Sequence, residues 1–295
     1  MHEPEGALGS RCGGNVIRGY VNSTSGQVHY REVGTGDEVV VLLHQTASSS
    51  RMYERFMTQL ANEFRLIALD TPGFGESDPW PDQPTTGDLA GALAAAVQGL
   101  GIDSYHLLGH HTGAALACEW AATHRDRVRS LAMSGPLAIG PEKAGWWDRE
   151  DFQAGLRGSA ILLDGTHLLG AWDRAGNLDP SPVEFPPETG LRHREALDTV
   201  KASPRWPETY RAVFAQDFEA HLAAVACPVL VLAARADVLW PYFSATVAAK
   251  PGCQSVELPG GAYVFDQQTE LVADAMRRFL ASVAASSGRK TPDIS

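Results

Sequence analysis

Two adjacent histidines, His110 and His111, lie inside the run Tyr105-His106-Leu107-Leu108-Gly109-His110-His111-Thr112-Gly113-Ala114-Ala115-Leu116-Ala117. An apolar segment ends there in a Gly-x-x-x-Gly turn, and small residues with helical spacing follow. This is strand, sharp turn, helix, the context of a nucleophile elbow. The two glycines allow a turn too tight for a Cβ and let the helix close on the strand. The middle position of such an elbow normally carries an attacking oxygen or sulfur; here it carries His111, an imidazole. An imidazole at that apex suits proton transfer, and its most useful partner is a carboxylate that fixes its tautomer.

The elements that must position this ring follow in chain order. Residues 1–14 are Gly-rich and polar and are expected to be disordered. Two short alternating segments around Asn22 to Gly26 predict a hairpin. Glu38 to Leu43, Arg65 to Asp70, the strand before Gly109, Val128 to Ser134, Pro228 to Ala234 and Gln254 to Leu258 read as strands. Several are continuous apolar runs, the mark of parallel strands covered on both faces. Helices are expected from about Arg51 to Asn62, Asp88 to Leu100 with Thr85 or Thr86 as N-cap, the elbow to His124, Tyr242 to Ala249 and Gln267 to Ala284. The fold class is therefore α/β, a mostly parallel sheet with helices on both faces. The alternation fails at 137–224, which is rich in Trp and Phe and reads as an inserted helical lid. The core is expected at 15–136 and 225–286, and 287–295 as a disordered tail.

At 295 residues, with 44% hydrophobic and 20% charged residues, the chain suits one domain with an insertion. A formal net charge of −11 argues against nucleic acid or anionic membrane as partner. Four scattered cysteines without a CxxC pair predict reduced thiols. No signal-like leader and no membrane-length apolar run stand in the sequence, so a cytoplasmic location is expected. The oligomeric state is left open, a homodimer being one option.

In order and spacing these landmarks resemble the α/β-hydrolase fold superfamily over roughly residues 18–284. Leu42-Leu43-His44-Gln45-Thr46 stands where that family has an oxyanion loop. Asp70-Thr71-Pro72-Gly73-Phe74-Gly75-Glu76-Ser77 matches its Asp-x-Pro-Gly-x-Gly-x-Ser turn, and Asp237 follows a strand where the triad acid is expected. Gly260-Gly261-Ala262-Tyr263 stands where Gly-Gly-His would carry the triad base. The resemblance thus implies a site with His111 for the nucleophile, Ala262 for the base, and Asp237 retained. It also implies that the N–H groups of Thr46 and Thr112 stabilise an anion, that His44 braces the oxyanion loop, and that His110 packs structurally.

Three readings stay open. In the first, His111 is a general acid or base held by Asp237, acting without a cofactor on a hydrophobic, polycyclic or polyketide-like small molecule. The reaction would then be proton abstraction, elimination, decarboxylation or cyclisation rather than hydrolysis. In the second, the chain is a non-catalytic ligand-binding pseudo-hydrolase. In the third, it is an inactivated variant of a true hydrolase. His44, Gln45, His110, Trp240, Ala262, Tyr263, Trp146 and Trp147 are the expected pocket residues. No metal is expected on His44, His110, His111 and Asp237, because adjacent histidines on a tight turn are expected to diverge and no HxH or HExxH spacing is present.

Overall fold

The computed structural model describes residues 15–136, 145, 148–156, 159–178 and 184–286. Eight strands form one sheet: β1 (Ile17–Ser23), β2 (Gly26–Val33), β3 (Val39–Leu43), β4 (Arg65–Leu69), β5 (Tyr105–His110), β6 (Val128–Ser134), β7 (Val229–Ala234) and β8 (Gln254–Leu258). Their order is β1-β2-β4-β3-β5-β6-β7-β8. The β1–β2 and β2–β4 pairs are antiparallel and the remaining pairs parallel. The continuous apolar runs have their cause in this arrangement. Every residue of β3, β5 and β7 is buried, because helices cover both faces.

On one face, α3 (Thr112–Thr123) packs over β3, β5 and β6, and α2 (Thr86–Gly99) packs on α3 and β1, through Leu89, Leu93, Val97, Leu116 and Trp120. On the other, α1 (Glu54–Leu60) and α11 (Thr269–Ser286) cover the sheet through Phe56, Leu60, Met276 and Phe279. Thr85 is the N-cap of α2, and a capping box with Asp88 satisfies two of the N–H groups that a helix start leaves open. The first expected helix begins as a 3₁₀ turn, Ser50–Tyr53, before α1, and Asp70 accepts the Ser50 N–H at its start at 2.6 Å. After β7 comes α9 (Phe243–Ala249), and after β8 a short α10 (Val264–Gln267) precedes α11, the expected last helix.

Among the described residues, five helices are inserted between β6 and β7 as a lid: α4 (Glu150–Leu156), α5 (Thr166–Gly176), α6 (Thr189–Ala202), α7 (Pro207–Ala215) and α8 (Phe218–Ala224). Its aromatic residues largely hold the lid to itself and to the core. Phe218 joins the sheet core, Phe152, Tyr210 and Phe214 contact one another, and Arg192 covers the Trp172 ring at 4.5 Å. Cys118, Cys227 and Cys253 are free thiols. No helix among the described residues is long and apolar enough to cross a membrane. Residues 1–14 and 287–295, expected to be disordered, lie outside the described residues, as do Trp146 and Trp147.

Candidate functional site

The strand–turn–helix elbow depends on its glycines. A Cβ at Gly109 would come within 2.6 Å of the Ala114 nitrogen, and one at Gly113 within 2.7 Å of the His44 carbonyl oxygen. Both approaches lie far inside van der Waals contact, so only glycine lets α3 start directly against β5 and β3. The chain turns at His111 with φ 50° and ψ −116°, the single non-glycine residue of positive φ among the described residues. That conformation costs a bulky side chain on the order of 1–3 kcal/mol, and the surrounding packing holds it in place. The turn lifts the His111 ring above the carboxyl ends of the strands, where β7 delivers Asp237.

His111 Nε2 lies 2.7 Å from Asp237 Oδ2, across 126 residues of sequence. The other carboxylate oxygen accepts the Leu239 N–H at 2.7 Å. Burial alone would raise the Asp237 carboxyl, but the charge and hydrogen bond of His111, with His110 and the Leu239 N–H, outweigh it and hold the group below the usual carboxylate range. An ionised Asp237 accepts the proton on Nε2. Whenever the His111 ring is neutral, its lone pair is then on Nδ1. Gly135 makes this pairing possible, since a Cβ there would lie 2.8 Å from His111 Nε2 and 3.3 Å from Asp237 Oδ2.

His110 is fully committed to the protein. Its Nε2 donates to the Ala262 carbonyl at 2.8 Å, and Nδ1 accepts from the Ser134 hydroxyl at 3.0 Å. Burial, reinforced by the neighbouring His111, drives its pKa down to about 3, so the ring is neutral. The expected divergence of the two adjacent rings is corrected: their centroids are 4.1 Å apart and tilted by 35°. The ring atoms of His110 and His111 and a carboxylate oxygen of Asp237 lie within 4.8 Å of one another, a spacing that admits a cation. However, both His110 nitrogens have protein partners, and His111 is bonded directly to Asp237. A metal would have to break at least two of these bonds.

His44 braces the loop after β3. It donates from Nδ1 to its neighbour's carbonyl, Gln45 O, at 2.8 Å and accepts the Thr71 N–H on Nε2 at 3.0 Å. Gln45 is buried, and its side-chain oxygen has no hydrogen-bond partner. The Thr46 N–H, one of the two expected anion donors, is bonded to the Thr112 hydroxyl at 2.8 Å. The Thr112 N–H, the other, stands at the first position of α3, where helix geometry provides no intrahelical acceptor. Ala262 is fully buried beside His110, and the Tyr263 hydroxyl donates a hydrogen bond to the Ala175 carbonyl of the lid at 2.8 Å. Trp240 stacks on Phe243 at 5.2 Å and packs against the sheet core.

Sequence reasoning missed Arg174, Tyr210, Trp206 and Ser134. Arg174 and Tyr210 both bond the Thr46 carbonyl, at 3.1 and 3.2 Å. Nothing in the local pattern of α5 or α7 singles them out, because their partners stand more than 100 residues away.

The family described as alpha/beta hydrolase fold matches residues 38–267. RutD of Klebsiella pneumoniae subsp. pneumoniae, named as a carbamate hydrolase, is 28% identical over 77% of this chain and 85% of its own length. A 2-hydroxy-6-oxononadienedioate/2-hydroxy-6-oxononatrienedioate hydrolase of Burkholderia vietnamiensis is 35% identical over 42% of this chain and 46% of its own. A thermophilic esterase from Thermogutta terrifontis superposes with a TM-score of 0.74 at 25% identity, covering 90% of this chain and 99% of that one. These relatives correct the functional expectation. Proton abstraction, elimination, decarboxylation or cyclisation without hydrolysis, and equally a pseudo-triad that has left catalysis, conflict with a kinship made up nearly throughout of hydrolytic enzymes. The expectation failed because it took a missing hydroxyl nucleophile for a missing hydrolysis. A base paired with a carboxylate can also deliver water.

Proposed function

We propose that this chain, which belongs to the α/β-hydrolase fold family, hydrolyses an ester-like bond in a small apolar molecule by means of the His111–Asp237 pair. The 2.7 Å bond between the two side chains carries the reading. His111 stands at the family's nucleophile position and Ala262 at that of its histidine. The two functions usually divided between base and nucleophile then collapse onto one ring and one water.

His111 Nδ1 takes a proton from water as the water oxygen attacks the substrate carbonyl. Asp237 stabilises the imidazolium that forms, and the same proton is then passed to the leaving oxygen or nitrogen. Negative charge on the tetrahedral oxygen meets the Thr112 N–H, and the Thr46 N–H once the Thr112 hydroxyl is displaced from it. General base catalysis of this kind contributes about 10²- to 10⁴-fold. Turnover well below that of an enzyme with a complete triad is therefore expected.

The test is a panel of aryl esters and aryl carbamates hydrolysed by the wild type, His111→Ala and Asp237→Asn. Both variants are expected to lose at least about 100-fold in kcat/KM, and the wild type to show a normal solvent isotope effect. Retention of wild-type turnover by His111→Ala would remove the proposal.

A further inference from the structure

We propose that Arg174, with Trp206 and Tyr210, forms a subsite for a carboxylate carried by the substrate, away from the bond that is cleaved. The inference deepens the hydrolytic reading and rests on it for the identity of the bond.

Arg174 is placed by two ties across the site. Its Nη2 donates to the Thr46 carbonyl at 3.1 Å, and the next residue, Ala175, accepts the Tyr263 hydroxyl at 2.8 Å. The end of α5 thus bridges the loop after β3 and the loop that carries Ala262, the two loops flanking His111. The Tyr210 hydroxyl accepts from Arg174 Nη2 at 3.2 Å and donates to the same Thr46 carbonyl. The guanidinium lies 4.8 Å from the Trp206 ring centroid.

The donors at this point outnumber the acceptors. Arg174 is half-buried, yet no carboxylate among the described residues pairs with it, and only its Nη2 has an acceptor. Three other lid arginines have carboxylate partners: Arg192 with Asp173, Arg194 with Glu195 and Asp266, and Arg205 with Glu208. Carboxylates are not scarce, since the chain has 35 acidic residues against 24 basic ones. The second observation is independent. Trp206 is 1% exposed, and its indole N–H has no hydrogen-bond partner among the described residues. A buried donor without an acceptor and a half-buried cation without a counter-ion are both unfavourable. A single anionic group of planar shape relieves both, because guanidinium offers two parallel N–H bonds to a carboxylate. Phe152 and Phe214, which contact Tyr210, supply an apolar wall beside the charge. The chemistry fits a short-chain dicarboxylic acid monoester, apolar along its length and charged at one end.

The test compares 4-nitrophenyl butyrate with mono-4-nitrophenyl glutarate, and measures glutarate binding by calorimetry, using the full chain. The wild type is expected to prefer the charged ester. In Arg174→Gln the charged-to-neutral ratio of kcat/KM should fall about ten- to hundred-fold, mainly through KM, as for loss of a charge-assisted hydrogen bond. Arg174→Lys should restore part of the ratio, and Trp206→Phe should lower it by a smaller factor. Glutarate should bind the wild type and fail to bind Arg174→Gln. Hydrolysis of both esters with an unchanged ratio in Arg174→Gln, and no glutarate binding, overturns the subsite and leaves the hydrolytic reading intact. Hydrolysis of neither ester, with Arg174-dependent glutarate binding, overturns the hydrolytic reading and supports the subsite.

Discussion

Gly135→Ala tests the geometry that the proposed chemistry needs. The added Cβ would stand 2.8 Å from His111 Nε2 and 3.3 Å from Asp237 Oδ2, and nearer still to His111 Cδ2. Ordinary heavy-atom contact is about 3.5 Å, so the ring must retreat by roughly 1 Å. A bond of 2.7 Å then lengthens to about 3.7 Å, which is no longer a hydrogen bond. Displacing a reacting group by about 1 Å costs on the order of 10² in rate. The stability cost is separate: φ at this position is +58°, and a left-handed backbone costs a non-glycine residue about 1–2 kcal/mol. Ester turnover and urea unfolding should be measured on the wild type, Gly135→Ala, Asp237→Asn and the double variant. We expect a fall of about 100-fold in kcat/KM with a modest drop in urea midpoint and no change in slope. The two rate losses should not add, because both remove the same bond. A Gly135→Ala enzyme that turns over like the wild type, or two losses that multiply in the double variant, would refute the role given to the His111–Asp237 bond.

Gly113→Ala should fail to yield folded protein, measured as soluble expression and far-ultraviolet circular dichroism. Its Cβ would meet the backbone oxygens of Leu43 and His44, which cannot move without opening the sheet. Thr112→Val removes the hydroxyl that occupies the Thr46 N–H. It should lower the melting temperature through an unsatisfied buried donor, worth about 1–3 kcal/mol, while kcat/KM for esters rises; a fall in both quantities would contradict the displacement step. Two buried groups should give opposite pH slopes. The His110 pKa is lowered to about 3, so its contribution is complete above its ordinary value of 6.5 and is lost as pH falls toward 3. The Asp198 carboxyl is raised to about 6, first by burial and then by Glu195, so its contribution is complete below 3.8 and is lost as pH rises through 6. Urea midpoints from pH 4 to 8 should therefore rise more steeply with pH in Asp198→Asn than in the wild type, and less steeply in His110→Gln.

The architecture was legible because it follows from local pattern. Short, Val- and Leu-rich apolar runs such as Val39–Leu43 and Val229–Ala234 suit strands covered on both faces, and their order with the helices points to a parallel sheet. The spacing of Gly109 and Gly113 required the tight elbow, since no side chain fits there. Asp237 could be named in advance because the family resemblance puts an acid after this strand, and its pairing with His111 was expected with it. The ring nitrogen that makes the bond could not be named, because the sequence does not state which way an imidazole turns. That direction depends on the vacancy at Gly135, on Asp237 arriving from another strand, and on His110 being held away by Ser134 and Ala262.

The order of elements, the turn that raises His111 and the absence of a hydroxyl or thiol at its apex were determined by the sequence alone. Neighbour-to-neighbour sterics and the apolar period decide such features. Three others were decided only by the tertiary structure: the Nε2–Asp237 bond, the Thr112 hydroxyl on the Thr46 N–H, and the seat of Arg174 above the same loop with no carboxylate partner among the described residues. Each depends on side-chain rotations that are settled only when elements far apart in the chain close on one another.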